Sequence, residues 1–302
     1  MARLAWKTPV IPLPGDHGDV HLKLECLQRS GSFKLRGATN RLLTLSEKDR
    51  EGGVVTCSSG NHGRAVAEAS EALGIRATVC VPDWTDPVKA HAIEEAGARL
   101  ISAGSTYDEA ERTAARLAEA EGLRVVHPFD DMAVIEGQGT VGSEILEQLP
   151  GVTEVLVPLS GGGLVAGIAL SMVGTGVRVV AVSAERASVM HQSLTAGGPV
   201  TLPEEATLAT ALSGGIGLDN RHTFRLVRDL VDDFVLVPEE AIVSAVCRAF
   251  RELKLVVEGG GAVALAAIWS GLWQPEGKTA IVVSGGNLDP DRLAELLRGS
   301  KA

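Results

Sequence analysis

Short apolar runs rich in β-branched residues alternate along this chain with longer amphipathic segments. Parallel strands need crossovers of roughly a dozen or more residues, usually through a helix, so this alternation is typical of a parallel sheet. Most runs are apolar at nearly every position, as expected when helices cover both faces of a sheet. The pattern therefore predicts an α/β fold, with strands at 20–24, 53–57, 77–81, 99–102, 124–127, 154–158, 178–182, 233–237 and 279–283.

The amphipathic segments predict helices, most clearly at 107–120, 139–149 and 239–253. Ala and Leu recur through 107–120 among Glu and Arg, and Pro-Glu-Glu precedes the last segment in the way that suits a helix N-terminus. The number of short strands suits two sheets, and 302 residues suit two domains at about 150 residues each.

Composition and charge exclude several classes of partner. A net charge of −10, with only five Phe, four Trp and one Tyr, disfavours nucleic-acid binding, which needs cations for phosphates and often rings for bases. No apolar stretch reaches the roughly 18 residues of a transmembrane helix. Residues 1–9 also lack the apolar stretch of a secretory signal, so we expect a cytoplasmic protein.

The cysteines and glycines of the chain differ in what they indicate. Cys26, Cys57, Cys80 and Cys247 lie far apart and form no C-x-x-C pair, which predicts reduced, buried thiols and no metal site. The 35 glycines are more informative, because glycine permits positive φ and close approach of the backbone to a ligand.

A lysine, Lys34, lies in the first of four segments that could carry chemistry, 31–38. A lysine in a partly apolar site loses its charge readily and can form a Schiff base, which arginine cannot do. The alternative is a surface lysine at the start of a helix.

The second segment, 56–63, places hydroxyl, amide and imidazole side chains between a predicted strand and a predicted helix. Free N–H groups at a helix N-terminus bind a carboxylate or phosphate. An ordinary N-cap turn explains one polar residue here but not a run of them. The residues predicted to line an anion pocket are Ser58, Ser59, Asn61 and His62.

The third segment is a glycine loop between a strand and a helix, at 160–164. Successive glycines let backbone amides turn towards a phosphate at the positive helix end. The loop also fits the dinucleotide fingerprint G-x-G-x-x-A, with Glu185 placed to bind a ribose, so a nicotinamide site stays open. In the fourth segment, Ser284 follows a strand and can reach a ligand at the carboxyl edge of the sheet, although a plain turn explains it equally well.

Taken in this order, and with Glu136-Gly-Gln-Gly-Thr140 between them, the four segments resemble the fold-type II pyridoxal phosphate enzymes of the threonine dehydratase and serine racemase family. The resemblance extends from Thr8 to Leu288. It implies a tryptophan synthase β-like fold of two open, twisted, mostly parallel sheets with helices on both faces. It also implies a large cofactor-binding domain at 1–52 and 131–302, a small domain at 53–130, and a homodimer.

The resemblance assigns roles to individual residues. Lys34 would form the Schiff base with pyridoxal 5'-phosphate, and Ser59 would be the acid/base on the opposite ring face. The substrate would be bound by Ser58, Ser59, Asn61 and His62. The cofactor would be bound by Phe33, Lys34, Asn61, Ser160, Gly161, Gly162, Gly163, Leu164 and Ser284.

The implied reaction is loss of water from a small β-hydroxy amino acid, followed by hydrolysis of the released aminoacrylate to a 2-oxo acid and ammonia. Segments 182–186, 190–194 and 213–220 look most like the hydroxyectoine-utilisation dehydratases, which favours a hydroxylated diamino acid as substrate. Ser183 stands where the racemase branch has a metal-binding glutamate, so no metal is expected. The alternatives are a serine racemase, a nicotinamide-dependent dehydrogenase and a silent amino-acid-binding protein.

Overall fold

The computed structural model describes residues 4–83, 85 and 87–299. Its contacts divide the chain into two compact units. The first unit comprises Met1–Trp6 and Lys34–Gly137, and the second comprises Lys7–Phe33 and Gln138–Ala302. Each unit contains one sheet.

The sheet of the first unit is fully parallel. Its strands are β3 (Val54–Cys57), β4 (Ala77–Val81), β5 (Arg99–Ser102) and β6 (Arg124–Val125), in the spatial order β5-β4-β3-β6. The helices are α1 (Lys34–Leu43), α2 (Glu47–Gly52), α3 (Asn61–Leu73), α4 (Pro87–Glu95) and α5 (Tyr107–Glu121). Helix α6 (Met132–Gln148) begins in this unit and continues into the second.

The sheet of the second unit has six strands in the order β1-β2-β10-β7-β8-β9. They are β1 (Val10–Pro12), β2 (Val20–Leu24), β7 (Glu154–Pro158), β8 (Arg178–Ala184), β9 (Asp233–Val237) and β10 (Thr279–Val283). Only the β1–β2 pairing is antiparallel among the described strands. The helices are α7 (Gly163–Met172), α8 (Val189–Ala196), α9 (Thr223–Leu230), α10 (Glu239–Arg248), α11 (Gly259–Trp269) and α12 (Pro290–Gly299).

The predicted fold class, α/β with two mostly parallel sheets, is confirmed, and each predicted strand coincides with an observed strand. The sequence prediction missed β1, a three-residue edge strand that contains Pro12. Proline cannot donate to a ladder, so an edge is where a strand tolerates it.

Two predicted helices have different limits in the structure. Helix α6 begins at Met132, not at 139, and it contains Gly137. A Cβ on Gly137 would lie 2.6 Å from the Arg36 carbonyl oxygen, so this glycine serves close packing and does not break the helix. The helix predicted at 239–253 ends as α10 at Arg248 and continues as a π-helical turn, Ala249–Leu253.

The compact units differ from the predicted domains at residues 4–6, 34–52 and 131–137. The prediction assigned them to the large domain, whereas the contacts place α1 and α2 with the first unit. Leu35, Ala38 and Leu42 of α1 are buried in the same apolar cluster as Ala65 and Val66 of α3. Burial of these side chains joins the two helices.

Candidate active site

In the first unit, Lys34 is the first residue of α1, and its Nζ donates to the Pro128 carbonyl oxygen at 2.7 Å. Pro128 lies just beyond the carboxyl end of β6. Strand β6 pairs with β3, whose own carboxyl end leads into residues 58–60 and helix α3. The sheet therefore brings the lysine and the polar segment 58–62 to the same edge.

The segment 58–62 has the features of an anion site. Gly60 is the N-cap of α3 and supplies no side-chain cap, and the first turn contains no acidic residue. The first N–H groups of a helix have no partner within the helix, and the helix dipole favours a negative charge there. The Ser58 hydroxyl oxygen accepts a hydrogen bond from the Gly60 N–H at 3.2 Å, which shapes the turn. Ser58, Ser59 and Asn61 are half-buried beside these donors.

His62 is the one predicted site residue whose side chain has an unexpected role. It is buried, and its Nε2 donates to the Val126 carbonyl oxygen at 3.0 Å. Desolvation by burial, aided by the charge of Lys34, lowers its pKa from 6.5 to about 3. The ring is therefore neutral with its proton on Nε2, and Nδ1 is an acceptor that has no hydrogen-bond partner within the described chain. In this tautomer the Nε2–H is already donated to a carbonyl, whereas the His62 backbone N–H lies in the first turn of α3. The contact of His62 with a substrate carboxylate stays a prediction.

In the second unit, the glycine loop follows β7 and begins α7. Gly162 is the N-cap of α7 with φ +88°, and the first turn contains no acidic residue. A Cβ on Gly162 would lie 2.9 Å from Met190 Cε and 3.0 Å from Thr223 Cβ, so only glycine fits. Ser160 begins the loop and donates from its Oγ to the Leu212 carbonyl oxygen at 2.8 Å. A buried helix N-terminus built in this way fits a phosphate dianion.

Ser284 directly follows β10, the strand next to β7 in the sheet. Its carbonyl oxygen accepts the Phe33 N–H at 3.1 Å, which places these two predicted residues together. Its Oγ is buried, and its hydrogen bond to the Gly260 carbonyl oxygen is long, at 3.5 Å. The hydroxyl therefore has the freedom to bond a ligand nitrogen at this end of the sheet.

Sequence reasoning missed two groups at these edges. Backbone carbonyls of Val126 and Pro128 bind His62 and Lys34, and backbone acceptors leave no side-chain signal. Three glycines, 259–261, begin α11 beside Ser284, and a Cβ on Gly261 would lie only 2.3 Å from the Gly285 carbonyl oxygen. Three successive glycines at a helix start were a detectable signal.

The structure also describes the positions relevant to a metal and to a nicotinamide. Ser183 is buried, and its Oγ bonds the carbonyl oxygens of Leu159 and Ala187 at 2.9 and 3.0 Å. Among residues 4–83, 85 and 87–299, no cluster of three or more His, Cys, Asp or Glu side chains could hold a metal ion. Glu185, the ribose ligand of the nicotinamide alternative, is exposed.

No helix in the described part of the chain is long and apolar enough to span a membrane.

Together these features fit one class of protein, an enzyme that holds a phosphorylated cofactor: a lysine lies beside a helix N-terminus in the first unit, and a glycine-lined helix N-terminus in the second unit fits a phosphate. The family described as "Pyridoxal-phosphate dependent enzyme" matches residues 1–285. The chain belongs to this family, and its cofactor is pyridoxal phosphate.

One curated relative and two solved structures show which enzymes of this family the chain is similar to. An L-threonine ammonia-lyase of Geobacter sulfurreducens is 42% identical over 89% of this chain and 67% of its own length. The structure of maize serine racemase is similar with a TM-score of 0.92 and 35% identity, covering 99% of this chain and 93% of that one. The processed form of threonine deaminase isoform 2 from Solanum lycopersicum gives a TM-score of 0.91 and 32% identity, covering 98% of this chain and 84% of that one.

Proposed function

We propose that this enzyme eliminates water from a small L-β-hydroxy amino acid of the serine and threonine type, after which hydrolysis of the released enamine takes up a water and releases ammonia to give a 2-oxo acid. The similarity to a threonine ammonia-lyase and a threonine deaminase supports this reaction class. The single observation that carries the proposal is the buried neutral hydroxyl of Ser284 at the end of β10.

Each step is assigned to groups of this chain. The N-terminus of α3 holds the substrate carboxylate through its N–H groups, with the hydroxyls of Ser58 and Ser59 beside them. The Lys34 amine removes the α-proton, and Ser59 moves a proton on the opposite face. When bound, pyridoxal phosphate supplies an electron-withdrawing ring that acidifies this α-proton.

Ser284 determines which outcome is favoured. A hydroxyl does not hold a proton on a ring nitrogen as a carboxylate would, because it brings no negative charge. With Ser284 as the partner of the ring nitrogen, a bound cofactor would be a weaker electron sink, which would favour prompt loss of the β-hydroxyl. Elimination follows from this neutral partner.

A finer proposal concerns the substrate side chain. The resemblance of segments 182–186 and 213–220 to the hydroxyectoine branch favours a substrate with a second amino group, such as 3-hydroxy-2,4-diaminobutyrate. Glu185 and Asp219 are the acidic residues of these segments, and both are exposed. An exposed charge pair contributes about 0–1 kcal/mol, so we expect a preference of about fivefold or less over threonine from these carboxylates.

A substrate panel tests both proposals. We expect 2-oxo acid and ammonia from L-serine or L-threonine, and a larger kcat/KM for the hydroxylated diamino acid. Phenylserine and 3-hydroxyaspartate serve as bulky and acidic controls. A higher kcat/KM for threonine would refute the diamino preference alone. Formation of D-serine faster than 2-oxo acid would make the enzyme a racemase, and no turnover of any member would refute the proposed function.

A further inference from the structure

A backbone carbonyl is one of the groups that bind the Lys34 ammonium. Its Nζ donates to the Pro128 oxygen at 2.7 Å. A carbonyl binds an ammonium well only when its peptide plane is held in one orientation, because the hydrogen bond weakens steeply as its geometry departs from linear. The Pro128 peptide follows β6, a strand of only two residues, so other contacts must fix its orientation.

The His127 side chain forms hydrogen bonds with the backbone on the other side of Pro128. Its Nδ1 accepts the backbone N–H of Phe129 at 3.2 Å and that of Asp130 at 2.7 Å. Its ring also contacts the Phe129 ring edge-on, with centroids 4.7 Å apart. Proline adds stiffness, since its ring fixes φ.

The peptide before His127 is fixed as well. The Val126 carbonyl oxygen accepts the Thr56 hydroxyl at 2.9 Å and His62 Nε2 at 3.0 Å. Hydrogen bonds thus hold the chain on both sides of the Pro128 carbonyl. Those that hold Phe129 and Asp130, after Pro128, are made by the side chain of His127.

We propose that His127 is a positioning residue: by accepting two backbone N–H groups on Nδ1, it orients the Pro128 carbonyl that holds the Lys34 ammonium in place. The inference rests on the role of Lys34 in the proposed function. It assigns to His127 no contact with substrate or cofactor.

Two substitutions separate hydrogen bonding from packing. Asparagine accepts N–H groups two and three residues ahead through its short side-chain oxygen, so His127→Asn keeps the acceptor and loses the ring. His127→Phe keeps a ring against Phe129 and loses the acceptor. His127→Ala loses both and replaces His127→Phe if that variant does not fold.

The readout is the reactivity of Lys34 itself, measured without turnover. The full chain, stripped of cofactor, is treated with trace acetic anhydride at pH 7, and acetylation of Lys34 is quantified by mass spectrometry against Lys278. Lys278 also donates to a proline carbonyl, that of Pro150 at 3.1 Å, and so is a matched internal standard. Loss of one hydrogen bond to a charged amine should raise Lys34 acetylation roughly tenfold.

The expected result is a rise in Lys34 acetylation for His127→Phe or His127→Ala and a wild-type value for His127→Asn. Wild-type acetylation in the variants without an acceptor, or equal rises in all three, would overturn the proposal. The proposed function can fail separately, because absence of elimination by the wild-type enzyme leaves this contrast in labelling unchanged.

Discussion

At the scale of single residues, two backbone carbonyls determine what the neighbouring side chains can do. The Val126 carbonyl oxygen accepts a hydrogen bond from His62 Nε2, so Nδ1 of that ring is left as an acceptor. The Pro128 carbonyl oxygen accepts a hydrogen bond from the Lys34 ammonium. A neutral imidazole beside the lysine avoids a second positive charge at this edge of the sheet.

The lysine assignment has a direct chemical test. Borohydride reduction of the enzyme should attach the cofactor to Lys34, because reduction makes an imine permanent. Lys34→Ala should keep the fold and lose turnover by several orders of magnitude. Lys278→Ala, the matched control, should keep both labelling and turnover. Peptide mapping that finds the label on another lysine would contradict the assignment.

The buried His62 predicts a specific dependence of stability on pH. Burial lowers the pKa of His62 from its ordinary 6.5 to about 3 in the folded protein, so between these values the unfolded chain binds a proton that the folded chain does not. Its contribution to stability is complete above about pH 6.5 and is lost progressively as the pH falls towards 3. The free energy of unfolding should therefore fall by up to about 1.4 kcal/mol per pH unit from this residue.

Urea unfolding at pH 7 and pH 5 measures this effect in the wild type, His62→Gln and His91→Gln. His62→Gln should weaken the dependence of the free energy of unfolding on pH, although its stability at pH 7 will be lower. His91 is 69% exposed, so its replacement should leave the dependence intact. An unchanged slope in His62→Gln would show that other groups cause it.

At the scale of elements, the sequence predicts what side chains specify and misses what the backbone specifies. Nearly continuous apolar runs identified β7 and β10, because burial on both faces selects such residues. The serine and glycines that follow these strands were also predictable, since each motif combines residue type with position. The start of α6 was not, because the closeness of Gly137 to the Arg36 carbonyl is a tertiary contact. The carbonyls beyond β6 were equally invisible, since any residue supplies one.

The glycine loop makes a prediction about this phosphate element. Gly162→Ala should be more destabilising than Gly174→Ala, although both positions have positive φ, at +88° and +77°. Left-handed strain of about 1–2 kcal/mol is common to both substitutions. Only Gly162 is crowded, whereas a Cβ on Gly174 meets nothing within 4 Å. Gly162→Ala should also weaken cofactor binding.

Equilibrium titration with pyridoxal phosphate and urea unfolding give the two quantities for each variant. We expect at least about a tenfold loss of cofactor affinity in Gly162→Ala, because a shift of the loop costs more than one hydrogen bond to the phosphate. Equal affinity in the two variants would exclude a direct role of this loop in phosphate binding.

At the scale of the whole molecule, the predicted cofactor ligands are dispersed along the chain, from Phe33 to Ser284. The sequence order of these residues predicted the family, but not which helices share a compact unit. Residues 34–52 illustrate the limit, because their assignment depends on apolar contacts of α1 with α3 that no local pattern encodes. Motifs specify chemistry more locally than they specify packing.

Removal of the cofactor should lower the stability of the whole enzyme. A ligand that binds only the folded chain adds about 2.7 kcal/mol at a concentration a hundredfold above its Kd. Thermal melting of the holoenzyme and of the stripped chain measures the difference, and added pyridoxal phosphate should restore the higher Tm. Pyridoxal without its phosphate is the matched control, and it should restore less, because the N–H groups at the start of α7 have no anion to bind. Equal recovery with both compounds would mean that the imine at Lys34 supplies the stabilisation and the glycine loop does not.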